Sequence, residues 1–272
     1  MKHYIMSMNK ILFLVAAVAA LTSCSTSYHV EGSSSISSLD GSKLYLKTIQ
    51  NQELRNLDSC DVVHGKFRFS GVLDTVRVAS LFMDDESLMP IVLEEGEINI
   101  QIDRAKQTVS GTVLNDSLYR FIDKHNQLDN RMNELGHKQN QMILEGIDET
   151  QILQEVQAEA EEIAQEREQL MTNSIIENFD NPLGPYLFEM LTSVYRYPIL
   201  TPQIEYIMSK ASKKFKNDPY VNDYYTTAQE NEKRMQGFDV DGTDTATAPQ
   251  PNDTTVHNDT TASAPILRVP QE

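Results

Sequence analysis

The sequence predicts an α+β protein. An antiparallel β-sandwich or barrel-like domain comes first, a helical hairpin with further helices follows, and a disordered tail comes last. Three observations carry this. Between Tyr28 and Gly111 apolar and polar residues alternate in short segments, the two-residue period of half-buried strands. At Asn115 the spacing changes to three and four, the period of a helix. Beyond Gly237 the chain is Asp, Thr, Pro, Asn and Ala with almost nothing to bury.

The chain starts with an apolar run, Ile11–Leu21, behind Lys2 and Lys10. That run is about half the ~20 apolar residues a membrane-spanning helix needs, so residues 1–23 read as a secretory leader. Leu21-Thr22-Ser23-Cys24 resembles the bacterial lipobox. The Cys24 thiol would take a diacylglycerol, the chain would be cut just before it, and two or three acyl chains would hold the product on a membrane. The competing reading is an uncleaved signal-anchor with an incidental cysteine.

Residues 24–38, small and polar at Ser25–Ser27 and Gly32–Ser38, read as a flexible tether, with a first strand beginning near Tyr28. The β domain spans 28–113, in about seven or eight strands. Lys43–Ile49 alternates on Leu44 and Leu46, and Gly65–Gly71 alternates on Phe67 and Phe69. Thr75–Phe82, Met89–Leu93, Glu97–Asp103 and Thr108–Val113 continue the pattern. Asp40-Gly41, His64-Gly65 and Glu95-Gly96 supply tight turns.

The helical region spans 114–236. Leu118, Phe121, His125, Leu128, Met132, Leu135, Gln139 and Met142 form one seam. Gly146-Ile147-Asp148 breaks it, with Asp148 and Gln151 as a capping pair for a second helix. Leu153, Val156, Ala160, Ile163 and Leu170 give that helix a matching seam, so the two are expected to zip as an antiparallel, coiled-coil-like hairpin. Further helices are expected to start at Pro185, Thr201-Pro202 and Asp218-Pro219, because proline suits a first turn. Residues 237–272 read as the disordered tail.

The net charge is −17, and loss of Lys2 and Lys10 with the leader lowers it further. Such acidity disfavours nucleic acid and anionic lipid surfaces as partners. With Cys24 acylated, Cys60 has no second cysteine in the chain to pair with. As a lone thiol it could act in redox chemistry, or serve as a small buried side chain. His125 and His137 lie about three turns apart, too far to share one metal unaided. The carboxylates from Glu145 to Glu168 read as a solvated helix face, onto which Lys210, Lys213, Lys214 and Lys216 could dock. Asp239-Val-Asp-Gly-Thr-Asp244 resembles part of a calcium loop but has no closing glutamate. No metal site, cofactor site or catalytic residue is expected, since no nucleophile elbow, P-loop, dinucleotide fingerprint or His-Glu-x-x-His occurs.

Asp40-Gly-Ser-Lys-Leu-Tyr-Leu46, Leu57-Asp-Ser-Cys-Asp-Val62, Gly65-Lys-Phe-Arg-Phe-Ser-Gly71 and Leu93-Glu-Glu-Gly-Glu-Ile98 together resemble the DUF4369 domain of Bacteroidetes lipoproteins. The resemblance implies a β fold and a cell-envelope address. In such proteins a helical linker and a thioredoxin-like disulfide-reductase domain often follow. Asn181–Tyr225 looks like that linker, but no Cys-x-x-Cys is present here. Asp244-Thr245-Ala246, Asp253-Thr254-Thr255 and Asp259-Thr260-Thr261 look like sites that Bacteroidetes O-glycosylate, making Thr245, Thr254 and Thr260 candidate acceptors. Asp74-Thr75-Val76 and Asp116-Ser117-Leu118 fit the same pattern.

The resulting expectation is a non-catalytic envelope lipoprotein on the periplasmic face of the outer membrane. It would bind or scaffold an envelope protein, with the helical face and the tyrosines between Tyr186 and Tyr225 as the contact surface. The alternative is an accessory of a thiol–disulfide system acting through Cys60.

Overall fold

The computed structural model describes residues 26–50 and 53–237. The leader, Cys24, the Asp239–Asp244 run and the candidate acceptors Thr245, Thr254 and Thr260 lie outside those residues. Eight strands are described: β1 (Thr26–Ser34), β2 (Lys43–Gln50), β3 (Glu53–Asp61), β4 (Lys66–Leu73), β5 (Arg77–Met83), β6 (Glu86–Leu93), β7 (Gly96–Ile102) and β8 (Gln107–Ser110). They form two four-stranded sheets, ordered β4-β1-β7-β8 and β3-β2-β5-β6. The faces turned toward each other carry the alternating apolar residues. Val30, Phe67, Phe69, Ile98 and Ile100 come from one sheet, and Leu44, Leu46, Leu81 and Ile91 from the other, all buried.

The turns are where glycine allowed them. His64 and Gly65 both take positive φ, at 52° and 67°. Val63 and Lys66 exchange both backbone hydrogen bonds across them. This is the two-residue turn that a right-twisted hairpin favours.

Two features depart from the sequence reading. The sandwich is not wholly antiparallel, because β1 and β7 pair in parallel. A two-residue period reports which face is buried and carries nothing about strand direction. Moreover, Gly32–Ser34, read as part of a flexible tether, belongs to β1, a strand flanked by β4 and β7. Small residues there are a packing solution. A Cβ on Gly32 would lie 2.0 Å from the Phe67 ring, so Phe67 fills the space that the glycine leaves. Ser37–Leu39 then forms a short 3₁₀ turn that buries Leu39.

Six helices are described after the strands: α1 (Val113–Leu144), α2 (Glu149–Glu177), α3 (Leu183–Thr192), α4 (Pro202–Lys210), α5 (Lys213–Lys216) and α6 (Pro219–Met235). α1 and α2 form the expected hairpin. Asp148 caps α2 by accepting from the Thr150 amide at 3.0 Å, whereas Gln151 bonds Glu155 instead of closing a capping box. The α1 seam is as read, with Leu118, Phe121, Leu128, Leu135 and Met142 buried. The α2 seam starts one residue earlier than read, with Ile152 buried and Leu153 exposed. α3 begins at Leu183, two residues before Pro185, while Thr201 and Asp218 cap α4 and α6 as expected.

One core runs from the sandwich through Leu118, Phe121 and Ile122 into α2, α3, α4 and α6. The outer part of the hairpin has its own small cluster of Leu128, Leu135 and Ile163. Among the described residues no helix is long and apolar enough to cross a membrane.

Candidate functional surface

Beside the apolar packing of Leu118, Phe121 and Ile122, three side chains hydrogen-bond the helical hairpin to the sandwich edge. Strand β6 is an edge, so its outer backbone groups need partners or water. Asn115, in the first turn of α1 and fully buried, acts as a strand partner would. Its Oδ1 accepts from the Val92 amide at 2.9 Å, and its Nδ2 donates to the Val92 carbonyl at 2.7 Å. One turn on, the Tyr119 hydroxyl donates to the Pro90 carbonyl at 2.9 Å. Thr112, the residue before α1, makes no capping bond to the helix with its side chain. The Glu94 carboxylate does this work from the end of β6, accepting from the amides of Leu114 at 2.8 Å and Asn115 at 3.1 Å. An acidic group at a helix N-terminus also meets the positive end of the macrodipole.

From this root α1 extends over 32 residues, about 48 Å at 1.5 Å per residue. Ion pairs bind its flank to α2. Arg131 donates to both carboxylate oxygens of Glu166 at 2.8 Å. Arg167 pairs with Asp129, and Lys138 reaches Glu159 at 3.4 Å. The carboxylate row of α2 is therefore partly matched by cations of α1. The basic residues Lys210, Lys213, Lys214 and Lys216 form no ion pair with that row. Lys214 instead donates to the Asp180 carbonyl.

His125, on the seam, is half-buried with Nδ1 3.3 Å from Asp129. Burial lowers its pKa, with Asp129 pulling upward and Arg167 downward. His137 is exposed. No cluster of three metal-binding side chains occurs among the described residues.

Where the hairpin meets α3, a cleft of about 490 Å³ opens. Arg120, Lys124 and Arg131 line it opposite Glu166, Glu177 and Asn173, above a floor that includes Leu118 and Leu187. At the opposite end of the hairpin the apolar side chains are exposed. Ile143, Leu144 and Leu153 are 57%, 88% and 52% accessible, on either side of the Gly146 turn.

The tyrosines sort differently from the sequence reading. Tyr224 is buried, and its hydroxyl lies within hydrogen-bond reach of both the Ile199 amide and carbonyl. Tyr220 bonds Thr192, and both rings pack edge-on to Phe188. Burial pushes the Tyr186 hydroxyl up to about 12. Tyr224 thus belongs to the core of the helical region and Tyr186, Tyr195 and Tyr225 pack against it, while Tyr197, Tyr206 and Tyr220 are exposed.

Cys60 lies in β3 opposite Leu44, half-buried against the sandwich core. Burial pushes its thiol up to about 11. The Arg68 backbone hydrogen bond opposes this, and Asp58 and Asp61 add to it. A thiol in such surroundings is held in its unreactive form at neutral pH. Thr75 is exposed in the β4–β5 turn, and Ser117 sits half-buried in α1.

The Asp58-Ser59 strand and the Gly65–Gly71 strand thus sit in a two-sheet sandwich closed by the first turns of α1. A family model described as a domain of unknown function, DUF4369, matches residues 28–118. Residues 28–118 form a DUF4369 domain. Its boundary at 118 takes in Asn115 and stops one residue short of Tyr119, so the root of the hairpin belongs largely to the domain. No curated protein and no solved structure matches the chain.

Sequence reasoning placed the domain and the hairpin, and it missed the surface-defining residues. Glu94 and Asn115 look like ordinary turn and helix-start polar residues. The exposed tip needed the one-residue shift at Ile152, which no period could reveal.

Proposed function

We propose that this protein is a membrane-tethered scaffold of the cell envelope, anchored through lipid on Cys24, that presents the tip of its helical hairpin to a protein partner. One observation carries the reading. A hairpin fixed by Asn115, Glu94 and Tyr119 holds three large apolar side chains, Ile143, Leu144 and Leu153, in solvent at its outer end. Large apolar side chains left in solvent near one end of a surface otherwise dense in charge support an interaction site there. The long charged stem works as a spacer between body and contact.

The anchor is supported by the leader pattern and the lipobox-like Leu21–Cys24, and the periplasmic face of the outer membrane by the absence of acidic residues just after Cys24. A thiol–disulfide role for Cys60 would require a more exposed thiol with a lower pKa than its surroundings give.

The test introduces a photo-crosslinking amino acid at Ile143 of the full chain in its native envelope. A discrete adduct is expected, lost in a Leu144→Glu, Leu153→Glu double variant and retained in Val194→Glu, whose exposed side chain lies after α3. An adduct that survives the double variant would remove the tip as the contact.

A further inference from the structure

The sandwich has two open sides, where the edge strands of its two sheets come together, and they are treated differently. On one side lie β6 and β8, and α1 covers them: Asn115 and Tyr119 occupy the outer backbone groups of β6. On the other side lie β3 and β4. There, among the described residues, no strand pairs with the outer edge of β3, although β3 is nine residues long; its Ser59 amide is held by the Asp58 carboxylate, and Cys60 bonds the Arg68 backbone of β4. Between the two strands is a gap of about 330 Å³, lined by Tyr28, Leu57, Asp58, Ser70, Leu73 and Arg77. Its surroundings are apolar for a surface. Leu57 and Val72, both exposed, line it, while Ile49 and Leu54, also exposed, lie opposite each other at the outer end of β2 and β3. A long unpaired edge, here acidic and interrupted by a bulge at Leu57, invites another strand.

The geometry points to an occupant within the same chain: Ile266-Leu267-Arg268-Val269, adding as a short strand to the outer edge of β3. Three observations favour it. It is the one run of neighbouring large apolar residues after Gly237, and Pro265 and Pro270 bound it, so pairing is limited to a short stretch. Arg268 is the sole Lys or Arg after Arg234, and β3 presents Glu53, Asp58 and Asp61 against Arg55 alone. Reach is ample, since the residues from Gly237 to Pro265 span up to about 90 Å when extended. Tethering also raises the effective concentration of the segment to about the millimolar range, so a weak four-residue pairing suffices.

The test is amide hydrogen exchange, residue by residue, over Glu53–Asp61 in the mature chain. It is compared with a chain ending at Ala264 and with a Leu267→Pro variant, neither of which touches the folded body. Alternate β3 amides, those not engaged by β2, are expected to exchange at least tenfold more slowly in the intact chain than in either variant. Arg268→Glu is expected to lose part of that protection. Equal exchange in all the chains would overturn the proposal. Protection that disappears on dilution would overturn it as well, because the strand would then come from a second copy.

Discussion

Asn115 is a polar side chain with no exposure to solvent, placed where a strand would be. Replacing it with alanine leaves the Val92 N–H and C=O buried without partners, each at a cost of about 1–3 kcal/mol. Asn115→Ala is therefore expected to destabilise by about 3 kcal/mol, lowering Tm by about 6–12 °C in a body of this size. Thermal unfolding checks this, and a shift below about a degree would mean that water replaces the amide. Cys60 gives a second prediction at this scale. With its thiol pushed from 9 to about 11, its thiolate fraction at pH 8 falls about a hundredfold, and maleimide labelling should slow at least as much until the chain is denatured. Because the folded pKa is the raised one, the Cys60 thiol ionises first in the unfolded chain. Its contribution therefore favours the fold below pH 9 and is lost as pH rises toward 11. Rapid labelling of the native protein at pH 8 would reopen the redox reading.

At the scale of elements, the sequence was legible wherever a period exists. The alternation of Phe67 and Phe69, and the seam from Leu118 to Met142, each specify an element and its buried face. Strand direction has no such signature, so the parallel pairing of β1 with β7 was hidden. β1 itself was half-hidden, because Tyr28, Val30 and Gly32 do alternate inward but the innermost volume is supplied by Phe67 from the neighbouring strand. The one-residue slip between Leu153 and Ile152 has a similar cause: near the tip the seam is held by few contacts, and two adjacent apolar residues compete for it. Ile163, fully buried in the outer cluster with Leu128 and Leu135, holds that half of the hairpin. Ile163→Ala should cost about 2–5 kcal/mol locally. Hydrogen exchange should then speed up in the outer half of α1 and α2 and stay unchanged in the sandwich. Uniform acceleration would show that the hairpin and the sandwich unfold as one unit.

For the whole molecule, the arrangement among the described residues is a DUF4369 sandwich, a stem of paired charged helices, and exposed apolar side chains at the outer end of the stem. The candidate site was only partly legible. The sequence directed attention to the tyrosines, of which Tyr224 packs in the helical core against Phe188 while Tyr197, Tyr206 and Tyr220 stay exposed. The tip consists of ordinary apolar residues, and of these Leu153 is exposed because the α2 seam buries Ile152 instead. The central claim is that membrane tethering and tip contact act together. It is tested most directly by carrying the Ile143 crosslinker in wild-type and Cys24→Ala chains in cells fed a fatty-acid probe. The account predicts that the wild-type chain takes the lipid label and forms the adduct, while Cys24→Ala loses both. A Cys24→Ala chain that is still labelled, or a full-strength adduct from an unlabelled chain, would contradict it.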